Sequence, residues 1–407
     1  MRRLMISLFV ILTLSADLKI TVYPYIHWVA WLVLILPIML KDFIEKGFVK
    51  LPFLIFSVLM FFIGFLISSF NSSTIEPFIQ FIKFSLVFIT IYYIVFYKTL
   101  EIKDVFFILN LSAILNFALL MIAYFNIYPT AQILTGSGRW GTILNYPGSL
   151  VKIGSLSLFY NVLLIIFNSK DKPLFRGTMV LLSIVIINMD GSRTGFLLSL
   201  LLLLVIPIFI INKNHLNNIK MSYTIVFLFI ISLLIIINNL TNILGSRLGV
   251  SIISFWNANT ITEGLQSVDS SRFMMINSAI SEIIKNPIVG NGSFSTIGVY
   301  SSGSEMVVHN TYLQVWGDYG LLGLTGYMAI TFSWIPFFPT ILKNAKKTTD
   351  LHLKSIIFSS ILMLIYFNIN GLFHPYSTEF AEWMTFIIPA AAYFKFYRYP
   401  SYLMKRQ

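Results

Sequence analysis

LFRGTMVLLSIVIINMDGSRTGFLLSLLLLLVIPIFII, residues 174–211, decides the fold class. Two apolar runs, each close to the roughly 20 residues that cross a bilayer as a helix, flank one short polar turn. Neither run alternates as a barrel strand would, so helices are the only spanning structure left. The pattern recurs along all 407 residues, which are 57% hydrophobic and 11% charged, with a mean hydropathy of +0.83. Soluble domains carry about 25% charged residues, so the water-soluble class is excluded. Further apolar windows lie near 4–20, 23–40, 51–69, 77–97, 104–124 and 148–168. Those after the opening stretch lie near 221–238, 310–341, 354–372 and 379–395. The expected fold class is all-α: a polytopic transmembrane helix bundle of about twelve spans.

Orientation follows from the placement of Lys and Arg. With the N-terminus inside, the inner segments hold Arg2 and Arg3; Lys41, Lys46 and Lys50; and Lys98 and Lys103. They also hold Lys170, Lys172 and Arg176; Lys213 and Lys220; Lys343, Lys346, Lys347 and Lys354; and Lys395, Arg398, Lys405 and Arg406. That is most of the 28 basic residues, so both termini are expected inside. The net charge of +12 is thus read as insertion signals scattered between apolar runs, and no nucleic-acid surface is expected. Met1-Arg2-Arg3 and the apolar run to Ala16 resemble a signal peptide, but spans follow at once, giving an uncleaved first span. Without cysteine, a disulfide, a thiolate metal site and a cysteine nucleophile are all excluded.

Two outer segments are long, about 126–146 and 239–309. The second holds Trp256, Phe273 and an amphipathic stretch, so it is expected to fold over the membrane face as a loop subdomain. It separates spans nine and ten of a single transmembrane domain, 1–407, in which no internal repeat is found.

Eight basic residues stand against the orientation bias: Lys19, Lys83, Arg139, Lys152, Arg193, Arg247, Arg272 and Lys285. Either outer carboxylates such as Glu76, Glu263, Asp269 or Glu305 pair them, or they await an anion, whose phosphate oxygens suit bidentate Arg. Arg193 sits in Asp190-Gly191-Ser192-Arg193-Thr194-Gly195, where it either snorkels or pairs with Asp190 at a cavity mouth. Arg272 opens an expected helix, 273–285, which Ser270 or Ser271 can cap and Asn286-Pro287 stops. An Arg in a first turn opposes the helix dipole, whereas a phosphate there is favoured, so this site too suits an anion. His309 stands at the outer boundary, where an imidazole titrates near neutral pH. It precedes Gly320, Gly323 and Gly326, expected as one small face for close helix packing, and Asp318, either paired in the bundle or functional. Gly136 to Gly141 spells G-x-G-x-x-G outside any βαβ unit, and no Walker A or H-E-x-x-H sequence occurs. His27, His309 and His374 lack metal-ligand spacing, so neither metal nor cofactor is expected.

Three segments then carry a resemblance: Ser192-Arg193-Thr194-Gly195; Arg272 through Asn286-Pro287-Ile288-Val289-Gly290-Asn291-Gly292; and His309-Asn310-Thr311-Tyr312-Leu313 with Gly320-Leu321-Leu322-Gly323. In order and spacing they resemble the O-antigen ligase and polymerase superfamily of bacterial surface-polysaccharide enzymes. Arg139-Trp140-Gly141-Thr142 through Asn145-Tyr146-Pro147 is similar to an earlier outer-loop pattern, except that Tyr146 separates Asn from Pro. The resemblance implies a glycosyltransferase of the cytoplasmic (inner) membrane, acting on its outer side. It would move an undecaprenyl-pyrophosphate-linked oligosaccharide to a hydroxyl of an acceptor glycan, with a chain-length regulator protein as a further partner. Arg193 and Arg272 would hold the pyrophosphate, and His309 would be the general base or orient the acceptor. Arg139, Lys152, Asn310 and Tyr312 are further substrate-binding candidates. Thr194-Gly195-Phe196 and Tyr312-Leu313-Gln314 look polymerase-like, which favours a polymerase over a ligase acting on lipid A core. The reading from another class is a lipid-linked oligosaccharide flippase, expected to show repeats and midplane ionisable sites.

Overall fold

The computed structural model describes residues 2–15, 26–47, 52–70, 75–97, 102–125, 127, 140–142, 148–167, 173–210, 260, 263, 270–299 and 305–398. The window near 221–238, Arg139 and Arg247 lie outside them. The chain begins with α1 (Arg2–Ser15), α2 (Ile26–Lys46), α3 (Pro52–Phe70) and α4 (Glu76–Phe96). Next come α5 (Ile102–Tyr124), α6 (Leu150–Ile166), α7 (Pro173–Asp190) and α8 (Arg193–Ile210). Further along come α9 (Ser270–Lys285) and an antiparallel pair, β1 (Ile297–Val299) and β2 (Glu305–Val307). Then follow α10 (Thr311–Thr331), α11 (Phe338–Lys347), α12 (Leu351–Asn370) and α13 (Phe380–Arg398).

Proline opens α3 and α7, where its missing N–H costs no helical hydrogen bond, and Asp350 caps α12 by accepting from Leu353 N at 3.0 Å. In α2 a π turn, Trp31–Ile35, precedes Pro37. Six stretches among the described residues are long and apolar enough to cross a membrane: Ile26–Lys46, Glu76–Val95, Phe107–Tyr124, Pro173–Asp190, Thr311–Lys347 and Leu351–Asn370. Nearly every side chain of α6 and α12 is buried, as expected of apolar helices at the centre of a bundle. By contrast Leu197, Leu201 and Leu204 form an exposed stripe on α8, suited to lipid.

The glycine-rich helix departs from expectation. Gly320 has φ 68° and ψ −173°, which breaks α10. A straight helix would separate Tyr312 and Phe332 by about 30 Å along its axis. Their rings instead stack at 6.3 Å, and Tyr312 also meets Tyr327 at 6.0 Å. The chain therefore reverses at Gly320, and the two arms of α10 lie side by side. Gly320 is thus not part of a helix-packing face. Gly323 and Gly326 are: a Cβ on Gly64 of α3 would come within 2.5 Å of Gly323 N, and one on Gly326 would overlap the Phe61 backbone. The expected single window 310–341 is accordingly a helical hairpin followed by a separate amphipathic α11, whose last turn carries Lys346 and Lys347.

The reversal is gripped by the 286–296 segment. Leu321 N donates to Pro287 O at 2.9 Å, Asn291 N to Gly317 O at 3.0 Å, and Gly292 N to Asp318 O at 3.0 Å. The buried Asp318 carboxylate accepts from Phe294 N at 3.0 Å, Ser295 Oγ at 2.9 Å and Thr296 N at 3.3 Å. Of its two expected roles, pairing within the structure is the observed one. Replacing Asp318 by alanine leaves these donors without their acceptor, so a loss of roughly 2–4 kcal/mol is expected, read as earlier thermal unfolding in detergent.

Candidate functional site

The turn between α7 and α8 is organised by Asp190. Its Oδ2 accepts from Gly148 N at 2.7 Å and Val151 N at 3.0 Å, and its Oδ1 from Ser192 N at 3.1 Å. A carboxylate so placed satisfies amides at the N-terminus of α6, where the helix dipole favours negative charge. Trp140 N donates to Met189 O at 3.1 Å, so the earlier outer-loop pattern meets this turn. Gly195 lies against Val151, close enough that a Cβ would meet Val151 Cγ2 at 2.6 Å. Arg193 is thereby fixed in backbone as the first residue of α8, next to the helix that carries Lys152. Its side chain and Arg139 lie outside the described residues.

The second segment is built on α9. The helix begins at Ser270, so the two serines expected as caps fall in its first turn beside an exposed Arg272. One turn on, Met275 packs with Ala279 and Val308 in a small apolar cluster that Leu313 joins. Gly298 of β1 presses on Met275, 2.9 Å from a would-be Cβ to Met275 Cα, and β2 runs back beside it to Val308. Arg272 and His309 therefore flank one cluster, the first through Met275 and the second through Val308. His309 is partly buried, with Nε2 enclosed. Asn310 spends its Oδ1 on capping α10, accepting from Tyr312 N at 3.0 Å and Leu313 N at 3.1 Å. The Tyr312 hydroxyl donates to Asn368 O at 2.8 Å. Both substrate-binding candidates thus make structural hydrogen bonds.

Beyond the cap, the first arm of α10 holds the 371–379 loop. Thr311 N donates to Gly371 O and Thr311 Oγ1 to His374 O, each at 2.8 Å, and Tyr376 N donates to Gln314 Oε1 at 2.7 Å. Between loop and hairpin lies a narrow cleft, lined by Thr311, Tyr327, His374, Ser377, Glu382 and Trp383. Burial raises the Tyr376 hydroxyl well above its usual range, so this phenol stays protonated. Two ion pairs fix the start of α13: Lys83 with Glu379 at 3.2 Å, and Lys152 with Glu382. Lys152, read in the sequence as a substrate contact, is thus matched by a carboxylate on the cleft wall. Glu379 and Glu382 escaped the sequence reading. The available signal was two carboxylates at the start of an apolar span, which membrane burial obliges to find cations. Among the described residues, no group of three or more His, Asp and Glu is placed to hold a metal ion.

A family profile described as O-antigen ligase matches residues 178–328. That stretch includes the Asp190 to Gly195 turn, Arg272, His309 and the α10 hairpin through Met328, and the resemblance seen in the sequence holds across it. Arg139 and Lys152 fall outside the match. No curated protein matches the chain. The match spans less than half of the chain; over that stretch the chain is similar to the O-antigen ligase family, and the described residues around it include helices long and apolar enough to cross a membrane.

Proposed function

We propose that the protein is a polymerase of bacterial surface polysaccharide, O-antigen or capsule, working on the outer side of the cytoplasmic membrane. In this reading the chain is one transmembrane domain of about twelve spans, with 239–309 as its outer loop subdomain. The acceptor is a hydroxyl of another lipid-linked repeat unit. Its oxygen bonds to the anomeric carbon of the donor glycan, the carbon–oxygen bond to pyrophosphate breaks, and undecaprenyl pyrophosphate leaves. His309 takes the hydroxyl proton, a task suited to neutral imidazole. Arg193 and Arg272 stabilise the charge on the departing pyrophosphate, so fixed cations do the work otherwise given to a metal ion. The observation that carries the reading is the placing of His309 in the family-matched stretch, one residue before the cap of a helix whose Thr311 forms the cleft wall. The basic residues closing α11 stand at the far end of that region from His309, in keeping with a site that faces outward.

The likeness to O-antigen ligases favours one second reading, in which the protein transfers the glycan to lipid A core. A deletion strain separates the two. Loss of a polymerase leaves surface lipid capped by a single repeat, the expected result. Bare core with polymer stranded on its carrier would identify a ligase, and unprocessed repeats held on the inner leaflet would identify a flippase. Arg193→Ala is expected to weaken binding of the lipid pyrophosphate about tenfold or more, as loss of a charge-assisted contact implies, read by titration of the purified protein. Unchanged affinity would remove Arg193 from the donor site.

A further inference from the structure

We propose that Lys346 of α11 and Lys354 of α12 bind the phosphate of an anionic phospholipid, at the end of the bundle away from His309. The inference rests on the apolar helices and is independent of the transferase reading. α12 is long and apolar enough to cross a bilayer. Near its last turn Asn368 O accepts from the hydroxyl of Tyr312, three residues after His309. Lys354 lies fourteen residues before Asn368, about 21 Å back along the helix axis. That separation carries it toward the opposite boundary, the level at which basic side chains meet lipid head groups. The helix before it suits the same place. α11 turns Ile341 and Ala345 inward, both fully buried, and leaves Lys343, Lys346 and Lys347 exposed. No acidic residue offsets them within α11. Ile335 and Leu351, on either side in the chain, are exposed and offer apolar surface to acyl chains.

Snorkelling accounts for a single lysine at a helix end, but not for this arrangement of two. Lys354 is only 8% exposed, with Nζ 5.2 Å from the centre of the Phe167 ring. A cation–π contact offsets part of its desolvation and supplies no counter-charge. Lys346, on the neighbouring helix, is near enough for the two like charges to repel. Among the described residues neither lysine forms an ion pair, whereas Lys41, Lys46, Lys83 and Lys152 do. The nearest carboxylate in sequence, Asp350, is engaged as the cap of α12 through Leu353 N. An enclosed lysine beside a second one, with no carboxylate paired to either, is stabilised by a bound anion. Phosphodiester oxygens can accept from both ammonium groups at once.

The test is native mass spectrometry of the full-length protein released from detergent, with phosphatidylglycerol or phosphatidylcholine added in turn. Wild type is expected to retain phosphatidylglycerol about tenfold or more over phosphatidylcholine, since each basic residue at a membrane surface is worth about fivefold. Lys346→Gln and Lys354→Gln are each expected to lower phosphatidylglycerol retention about fivefold and to leave phosphatidylcholine retention unchanged. Lys346 is exposed, so its variant keeps the test decisive if Lys354→Gln fails to fold. Lys41→Gln is the control, because Lys41 pairs with Glu45 at 3.8 Å on an exposed helix surface, and it is expected to retain lipid as wild type does. Equal retention of the two lipids by wild type overturns the site. So does an equal loss in Lys41→Gln, the pattern of diffuse surface charge. A melting temperature raised as much by inorganic phosphate as by phosphatidylglycerol assigns the two lysines to a free anion and overturns the lipid.

Discussion

Gly320→Val is expected to leave almost no folded protein in the membrane. The native backbone there has φ 68°, a region that β-branched residues avoid at a cost of about 1–3 kcal/mol. Space is refused as well, because a Cβ at Gly320 would overlap the Ile288 carbonyl and the Val289 backbone. Relief would require the 286–296 segment to withdraw, which also gives up the Asp318 hydrogen bonds. Together these effects reach several kcal/mol, a large part of the total stability of an ordinary domain. Gly177→Ala is the control, since nothing lies within 4 Å of a Cβ at Gly177 and alanine is the better helix former. Detergent-solubilised Gly177→Ala is expected to elute and melt as wild type while Gly320→Val aggregates. A monodisperse Gly320→Val protein with wild-type melting would mean that α10 does not reverse at this residue.

The same reversal shows where a sequence stops being legible. Apolar runs with proline at their starts announced α3 and α7, and Asn286-Pro287 ended α9 at Lys285 as expected, because caps and breakers are local signals. Gly320, Gly323 and Gly326 have the spacing of one helix face, and only a contact with Ile288, thirty-odd residues earlier, turns the first into a break. The carboxylates of the cleft were hidden for a related reason. Lys83 and Glu379 are 296 residues apart and Lys152 and Glu382 are 230 apart, so no window of sequence pairs them. Asn310 carried a readable signal, an N-cap residue directly before a helix, but its place in a family motif drew it toward substrate. What the sequence did yield of the candidate site was the set of polar residues expected on the outer side. Of these, His309 directly follows Val308 of one small apolar cluster and Arg272 lies one turn before its Met275, and Asp190 anchors the Arg193 turn on the helix of Lys152.

The larger effect on chemistry belongs to His309. His309→Ala is expected to slow glycan transfer by about 10²–10⁴-fold, the usual contribution of a positioned general base. Folding is expected to survive, because the cap of α10 is made by Asn310 and the hold on the 371–379 loop by Thr311. Donor binding is also expected to survive, since the proposed pyrophosphate contacts are Arg193 and Arg272. A loss of transfer with donor affinity kept separates a chemical role from a binding one.

The most direct test is a reconstituted reaction. Purified protein in liposomes, given undecaprenyl-pyrophosphate-linked repeat units as both donor and acceptor, is expected to yield longer lipid-linked glycan and release undecaprenyl pyrophosphate, whereas His309→Ala consumes almost none. Extension by His309→Ala at the wild-type rate, or repeat units moved across the bilayer unaltered by wild-type protein, would contradict an outward-facing glycan-joining site at this residue.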